Sequence, residues 1–170
     1  MVLLSHSIIG VAAASVFPSH PLIAFSVALA SHYAVDAFPH WDYKLLSSKE
    51  DPGTPLNNDI VIGKNFLSDA RRVFIDALLG VIASSLLFYF FDFGHSVLIL
   101  IAGISGGMAP DFLQFVYFKF RKEPFKSLYI FHKFMHSCHK ELKQHIVVGV
   151  SLQIAIVASI VFLIKFFLID

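Results

Sequence analysis

Five stretches of this chain are apolar for so long that they need a solvent other than water. A helix crosses a bilayer with roughly 20 mostly apolar residues. Candidates run from about Val2 to Phe17, Leu22 to Phe38, Val73 to Phe91, Ser96 to Phe118 and Ile146 to Ile169. The first is short, and Pro18-Ser19-His20-Pro21 turns it tightly into the second, since proline stops one helix and starts another. The pattern predicts an all-α, polytopic membrane helix bundle of about five transmembrane helices, a single domain over residues 1–170. A mean hydropathy of +0.72 is far too apolar for a water-soluble domain of this length.

Charge placement orients the bundle. Lys44, Lys49, Lys64, Arg71 and Arg72 fall between the second and third apolar stretches, and Lys119, Arg121, Lys122, Lys126, Lys133, Lys140 and Lys143 between the fourth and fifth. The other two connections carry none. Short basic loops stay in the cytoplasm, so the N-terminus and both long connections are expected there and the C-terminus outside. The first long connection, 39–70, contains the polar run Ser47 to Asp59, whose composition predicts a mobile loop and plain connector. A net charge of +1 gives no field for nucleic acid, which is not an expected partner. The N-terminus lacks the basic region of a secretory signal and reads as a retained membrane segment.

The segment 124–143 has another character. On a helix, Leu128, Phe131, Met135, Cys138 and Leu142 form an apolar seam, with His132, His136 and His139 to one side and Lys126, Lys133 and Lys140 further round. That is the profile of an interfacial amphipathic helix, with its histidines turned sideways into the protein.

Cys138 is the sole cysteine, so a metal site here must use imidazole and carboxylate. His32 and Asp36 are four residues apart and share a helix face, and Pro39 lets His40 and Asp42 fold back toward them. Asp111 lies inside an apolar segment, where an unpaired carboxylate costs several kcal/mol and needs a cation or a partner. Asp76, a turn beyond Arg71 and Arg72, poses the same problem, with those arginines as its simplest partners. Gly103 and Gly107 have the small-xxx-small spacing of close helix packing. His132 and His136 place two imidazoles one turn apart. With His6, all these groups fall near the expected cytoplasmic face, whereas His20, Asp92 and His95 fall opposite. Expected ligands are therefore His6, His32, Asp36, His40, Asp111, His132 and His136, with Asp42, Asp76 and His139 as expected catalytic groups. Imidazole and carboxylate suit zinc foremost, then manganese or iron, and so many donors allow two or three ions.

Several of these residues resemble the YdjM-like inner-membrane metal-dependent hydrolases: Ser5-His6-Ser7-Ile8-Ile9-Gly10, Ala109-Pro110-Asp111, and His132-Lys133-Phe134-Met135-His136-Ser137. Lys133-Phe134 replaces that family's usual Arg-Gly, and Leu113-Gln114 stands where a second acid is usual. His32-Tyr33-Ala34-Val35-Asp36 with Pro39-His40 is similar to elements of the zinc-dependent phospholipase C and S1/P1 nuclease group, a resemblance that implies zinc ligation by His32, Asp36 and His40. Both imply hydrolysis, here of a phosphoester or ester in a membrane lipid or lipid-linked substrate. Two other functions fit parts of the pattern. His132, His136 and His139 resemble one histidine box of a membrane di-iron oxidase or desaturase, and Asp76 and Asp111 would suit an ion-coupled transporter.

Overall fold

In the computed structural model, which describes residues 1–93, 96–137, 142 and 145–169, the chain is mostly helical. Helix α1 (Leu3–Ser15) and α2 (Pro21–Asp36) form a hairpin, followed by α3 (Phe66–Phe90), α4 (Val97–Phe120), α5 (Phe125–Ser137) and α6 (Ile146–Ile164), which ends in a π-helical turn. Three helices are long and apolar enough to cross a membrane: α3, α4, and α6 with its extension to Phe167. With 13 and 16 residues, α1 and α2 are shorter apolar helices.

α1 is the hub. Ten of its 13 residues are buried, and α2, α3, α4 and α6 all pack on it. Small residues permit this: Gly10 meets Gly103 and Gly107 of α4 so closely that a Cβ on Gly10 would stand 2.5 Å from the Gly103 carbonyl oxygen. A Cβ on Gly107 would stand 2.4 Å from the carbonyl oxygen of His6. The spacing of Gly103 and Gly107 thus serves backbone approach. At one end of the bundle Phe17, Ala24, Phe88, Phe93 and Ile99 pack together, and the expected ligands gather at the other.

α3 begins at Phe66, seven residues before the apolar stretch does. Its first turns are polar and stand above the hydrophobic part, where hydropathy alone cannot detect a helix. The preceding connection is correspondingly shorter than 39–70. Nor is the run from Ser47 to Asp59 a plain mobile connector. β1 (Ser48–Lys49) pairs antiparallel with β2 (Asp59–Ile60), enclosing a 3₁₀ turn at Pro55–Asn57. Arg121 holds this hairpin by donating to the carbonyl oxygens of Leu56 and Asn58, and the Tyr129 hydroxyl donates to that of Pro55. Lys119 Nζ lies 2.8 Å from Asp59 Oδ1. These partners lie some 60 to 75 residues away in sequence, so composition alone read as a mobile connector.

α5 occupies 125–137 of the expected 124–143; residues 138–141, 143 and 144 lie outside the described set. Among the described side chains it buries Tyr129 and His132, while Ile130, Phe131 and Phe134 remain about half exposed or more. Of the expected apolar seam, Leu128 and Met135 are half-buried and Phe131 sets its ring 4.8 Å from that of Tyr33.

Candidate metal centre

Four helices bring donors to one point. Asp36, at the last turn of α2, is 2% exposed and stands at the centre. Its Oδ2 lies 3.0 Å from His32 Nε2, 3.1 Å from His132 Nε2 and 2.9 Å from His136 Nε2. Its Oδ1 lies 3.1 Å from His6 Nε2 and 3.9 Å from His40 Nε2. Asp111, from α4, places Oδ1 3.8 Å from His132 Nε2 and 4.0 Å from His32 Nε2. Three overlapping sets have ligand atoms within 4.8 Å of one another: His6, His32 and Asp36; His32, Asp111 and His132; Asp36, His132 and His136. Six of the seven expected ligands, from α1, α2, α4 and α5, fall in these sets, and His40, in the turn after α2, lies alongside with its Nε2 3.9 Å from Asp36 Oδ1.

The nitrogen spacing bears on what the cluster holds. His132 Nε2 lies 3.2 Å from both His32 Nε2 and His136 Nε2. Donors about 2.05 Å from one tetrahedral ion lie roughly 3.3 Å apart, so these contacts have ligand–ligand dimensions. Tautomers point the same way. His32 Nδ1–H donates to the Gly107 carbonyl at 2.7 Å and His40 Nδ1–H to that of Phe38 at 2.7 Å. Each neutral ring then keeps its Nε2 lone pair for the cluster, the usual outer arrangement of a metal-bound histidine. His6, 1% exposed and stacked on His32 with centroids 3.7 Å apart, has no hydrogen-bond partner at either nitrogen among the described residues. Its Nε2 is near Asp36 yet out of hydrogen-bonding alignment. A buried imidazole with both nitrogens orphaned is rare in folded proteins, and a cation between His6, His32 and Asp36 would satisfy its Nε2. The donor set therefore fits a divalent ion.

Surrounding groups are tuned by burial. Desolvation at His132 outweighs its hydrogen bond to Asp36 and holds the imidazole pKa below its ordinary value, keeping the neutral, metal-binding form. At His40, desolvation followed by the nearby Met1 amino group lowers the pKa to about 4. Desolvation pushes Asp42 up to about 6, although its side chain keeps 38% of its exposure. Asp42 lies beside the cluster, its Oδ2 3.9 Å from the Met1 amino nitrogen. That amino nitrogen is also 3.0 Å from Asp36 Oδ1.

Asp76 sits elsewhere. Its oxygens accept from the N–H groups of Leu3 at 2.8 Å and Leu4 at 3.2 Å and from the Tyr43 hydroxyl at 3.1 Å. It caps α1 from across the bundle, while Arg72 donates to the Lys44 carbonyl and lies over the Tyr43 ring. Asp76, expected as a catalytic group with Arg71 and Arg72 as its simplest alternative partners, instead makes these helix-capping hydrogen bonds. His139 lies outside the described residues. Sequence reading passed over Tyr43 and Gln114, which border the mouth of the cluster; neither has a spacing that marks it.

No protein-family model, curated protein or solved structure matches this chain.

Proposed function

We propose that this chain is a metal-dependent hydrolase embedded in the cytoplasmic membrane, acting on a phosphoester or ester of a lipid or lipid-linked substrate at the inner interface. The observation that carries this is the convergence of three imidazole Nε2 atoms on one carboxylate oxygen, Asp36 Oδ2, each within 3.1 Å. The residues resembling YdjM-like hydrolases contribute four of the converging side chains, His6, Asp111, His132 and His136. The lysine and arginine distribution supports a cytoplasmic cluster, and five crossing helices satisfy its parity.

His32, His132, His136, Asp36 and Asp111 would hold one ion, with His6 and His40 completing a neighbouring position across Asp36. A zinc-type ion supplies Lewis acidity there: it brings the pKa of water toward about 7 and polarises a phosphoryl or acyl oxygen. The chain's own part is positional. Gly107 and Phe38 carbonyls fix the ring orientations of His32 and His40. Asp42, with a pKa near 6 and partial exposure, is suited to carry a proton between the reacting water and solvent near neutral pH. Asp76 acts through α1, whose first turn it holds in the register that aims His6 at Asp36.

Elemental analysis of detergent-purified protein, combined with a hydrolysis screen of phosphoesters and lipid esters, tests the proposal. Near-stoichiometric zinc, manganese or iron is expected, with turnover abolished in His136→Ala. Protein without bound metal after chelator-free preparation, or turnover unchanged in that variant, would overturn it.

A further inference from the structure

Beside the cluster are two cavities of opposite character that share a wall. One, about 620 Å³, lies between α3, α4 and the connection after α2. Val73, Phe74, Ala77, Met108, Phe112 and Phe115 make most of its surface apolar. The other, about 180 Å³, is polar and lined by Lys44, Ser48, Asn58, Lys133, His40 and His136. Asp42, Tyr43, Gln114 and Asp111 line both, so the cavities meet where the carboxylates of the cluster are accessible. The apolar cavity also reaches the outside of the bundle. α3 and α4 both pack extensively on α1 but touch each other little. Phe74 and Phe112, which flank the gap, are 65% and 66% exposed on helices apolar enough to cross a membrane. An aqueous substrate has no use for such an opening.

We propose that the two cavities together bind one bilayer phospholipid, which enters sideways between α3 and α4, lays an acyl chain in the apolar cavity and sets its phosphate in the polar one. This rests on the hydrolase reading and names the substrate class of that site. The apolar volume falls within the roughly 300–1,000 Å³ of ligand sites. A chain that moves from the bilayer into this cavity stays in apolar surroundings, so entry costs little and the cavity acts by shape. Charge complements the other end. Lys44 and Lys133 line the polar cavity from different elements, the loop after α2 and α5. The carboxylates on the shared wall, Asp42 and Asp111, repel a phosphate unless a cation stands between them. The phosphate position is therefore coupled to occupancy of the metal centre. Glu50, at the edge of the polar cavity, disfavours a second anion and suits a zwitterionic or monoanionic headgroup.

The test uses lipid retention, read by native mass spectrometry of the full chain released from detergent with an equimolar mixture of dioleoyl phospholipid and dioleoylglycerol. Wild type is expected to retain one phospholipid in preference to the diglyceride. Val73→Trp fills the apolar cavity and is expected to lower retention by roughly tenfold or more with metal content unchanged. The exposed double variant K44A/K133A, which leaves the core untouched, is expected to lose the phosphate preference by roughly tenfold. In turnover, Val73→Trp is expected to lose long-chain phospholipid hydrolysis and to retain that of a soluble aryl phosphodiester. Equal retention of the two lipids by wild type, or undiminished retention by both variants, would overturn the inference. Phospholipid retained by metal-loaded protein that turns over no phosphoester or ester would sink the hydrolase reading instead and leave the lipid site standing.

Discussion

Asp36 touches more of the candidate centre than any other side chain, and the consequences of changing it separate a metal centre from a hydrogen-bonded cluster. Asp36→Asn keeps the size and one acceptor oxygen but gives up the charge opposite the buried Met1 ammonium, so in a purely hydrogen-bonded cluster it would lower stability with no metal to lose. A bridging carboxylate between His6 on one side and His32, His132 and His136 on the other loses its charge and one ligand oxygen. The expected outcome is a fall in bound metal from stoichiometric to trace, measured by elemental analysis, with the helical content retained in circular dichroism. Asp76 gives the contrasting case. Its carboxylate caps two N–H groups of α1, and loss of such a cap costs about 0.5–2 kcal/mol. Asp76→Ala should therefore lower the thermal midpoint in detergent yet leave bound metal measurable in the folded fraction. Zero metal at unchanged midpoint would instead place Asp76 among the ligands. His6 and Asp36 were legible in the sequence because charge and imidazole are scarce in apolar helices. The role of Asp76 was not, because its partners are backbone groups 72 and 73 residues away.

Among the helices, the α1–α4 contact sets the geometry of the cluster. Gly107 has no side chain to interfere with His6 and uses its carbonyl to orient His32. A methyl at this position would clash with α1 backbone, which cannot rotate aside as a side chain would. Gly107→Ala is expected to destabilise by about 1–3 kcal/mol and to weaken metal binding as His6 and His32 move apart. Thermal unfolding together with metal titration checks this, and unaffected affinity would show that the seam and the centre are independent. The β1–β2 hairpin carries a different prediction, one of pH. Burial opposes the charge on Asp59, yet the hydrogen bond from Lys119 and its ammonium hold the carboxyl below the ordinary carboxylate range. A depressed carboxyl pKa stabilises the fold above its unfolded value near 4 and loses that contribution as pH falls through the folded value. Asp59 is one-third exposed, so solvent screening limits the effect to below about 1 kcal/mol. Asp59→Asn should therefore lower the midpoint at pH 7, with the gap to wild type narrowing as pH falls below about 4. A gap that stays constant as the pH is lowered through the carboxylate range would rule out the ion pair as its source. This hairpin also marks where sequence legibility ended. Arg121 and Tyr129 reach it from α4 and α5, and nothing local within Ser47 to Asp59 announces either.

At the scale of the whole molecule, the short helices decide how the bundle sits in a bilayer. At 1.5 Å per residue α1 and α2 are about 20 and 24 Å long, against a hydrocarbon core of about 30 Å. A lone helix that short would leave its ends in lipid. α1, however, is enclosed by α2, α3, α4 and α6, so its termini meet protein. The turn between them is polar and exposed at Pro18, Ser19 and His20, and lipid-exposed irregular backbone does not occur in the hydrocarbon region. On the proposed topology that turn reaches the far interface, where local thinning of the bilayer or the flanking aromatic residues can accommodate the difference. Parity is indifferent to the outcome: α3, α4 and α6 alone, or all five apolar helices, would make an odd number of crossings. Either count would put the N- and C-termini on opposite sides. What distinguishes the alternatives is the turn itself. In a Cys138→Ser background, Ser19→Cys is expected to react with a membrane-impermeant maleimide added outside intact cells, and Gly53→Cys in the hairpin only after the inner face is opened. Protection of Ser19→Cys from both sides would show a hairpin that stops within the membrane, leaving three crossings. Labelling of Gly53→Cys from outside would invert the orientation and move the metal centre away from the cytoplasm.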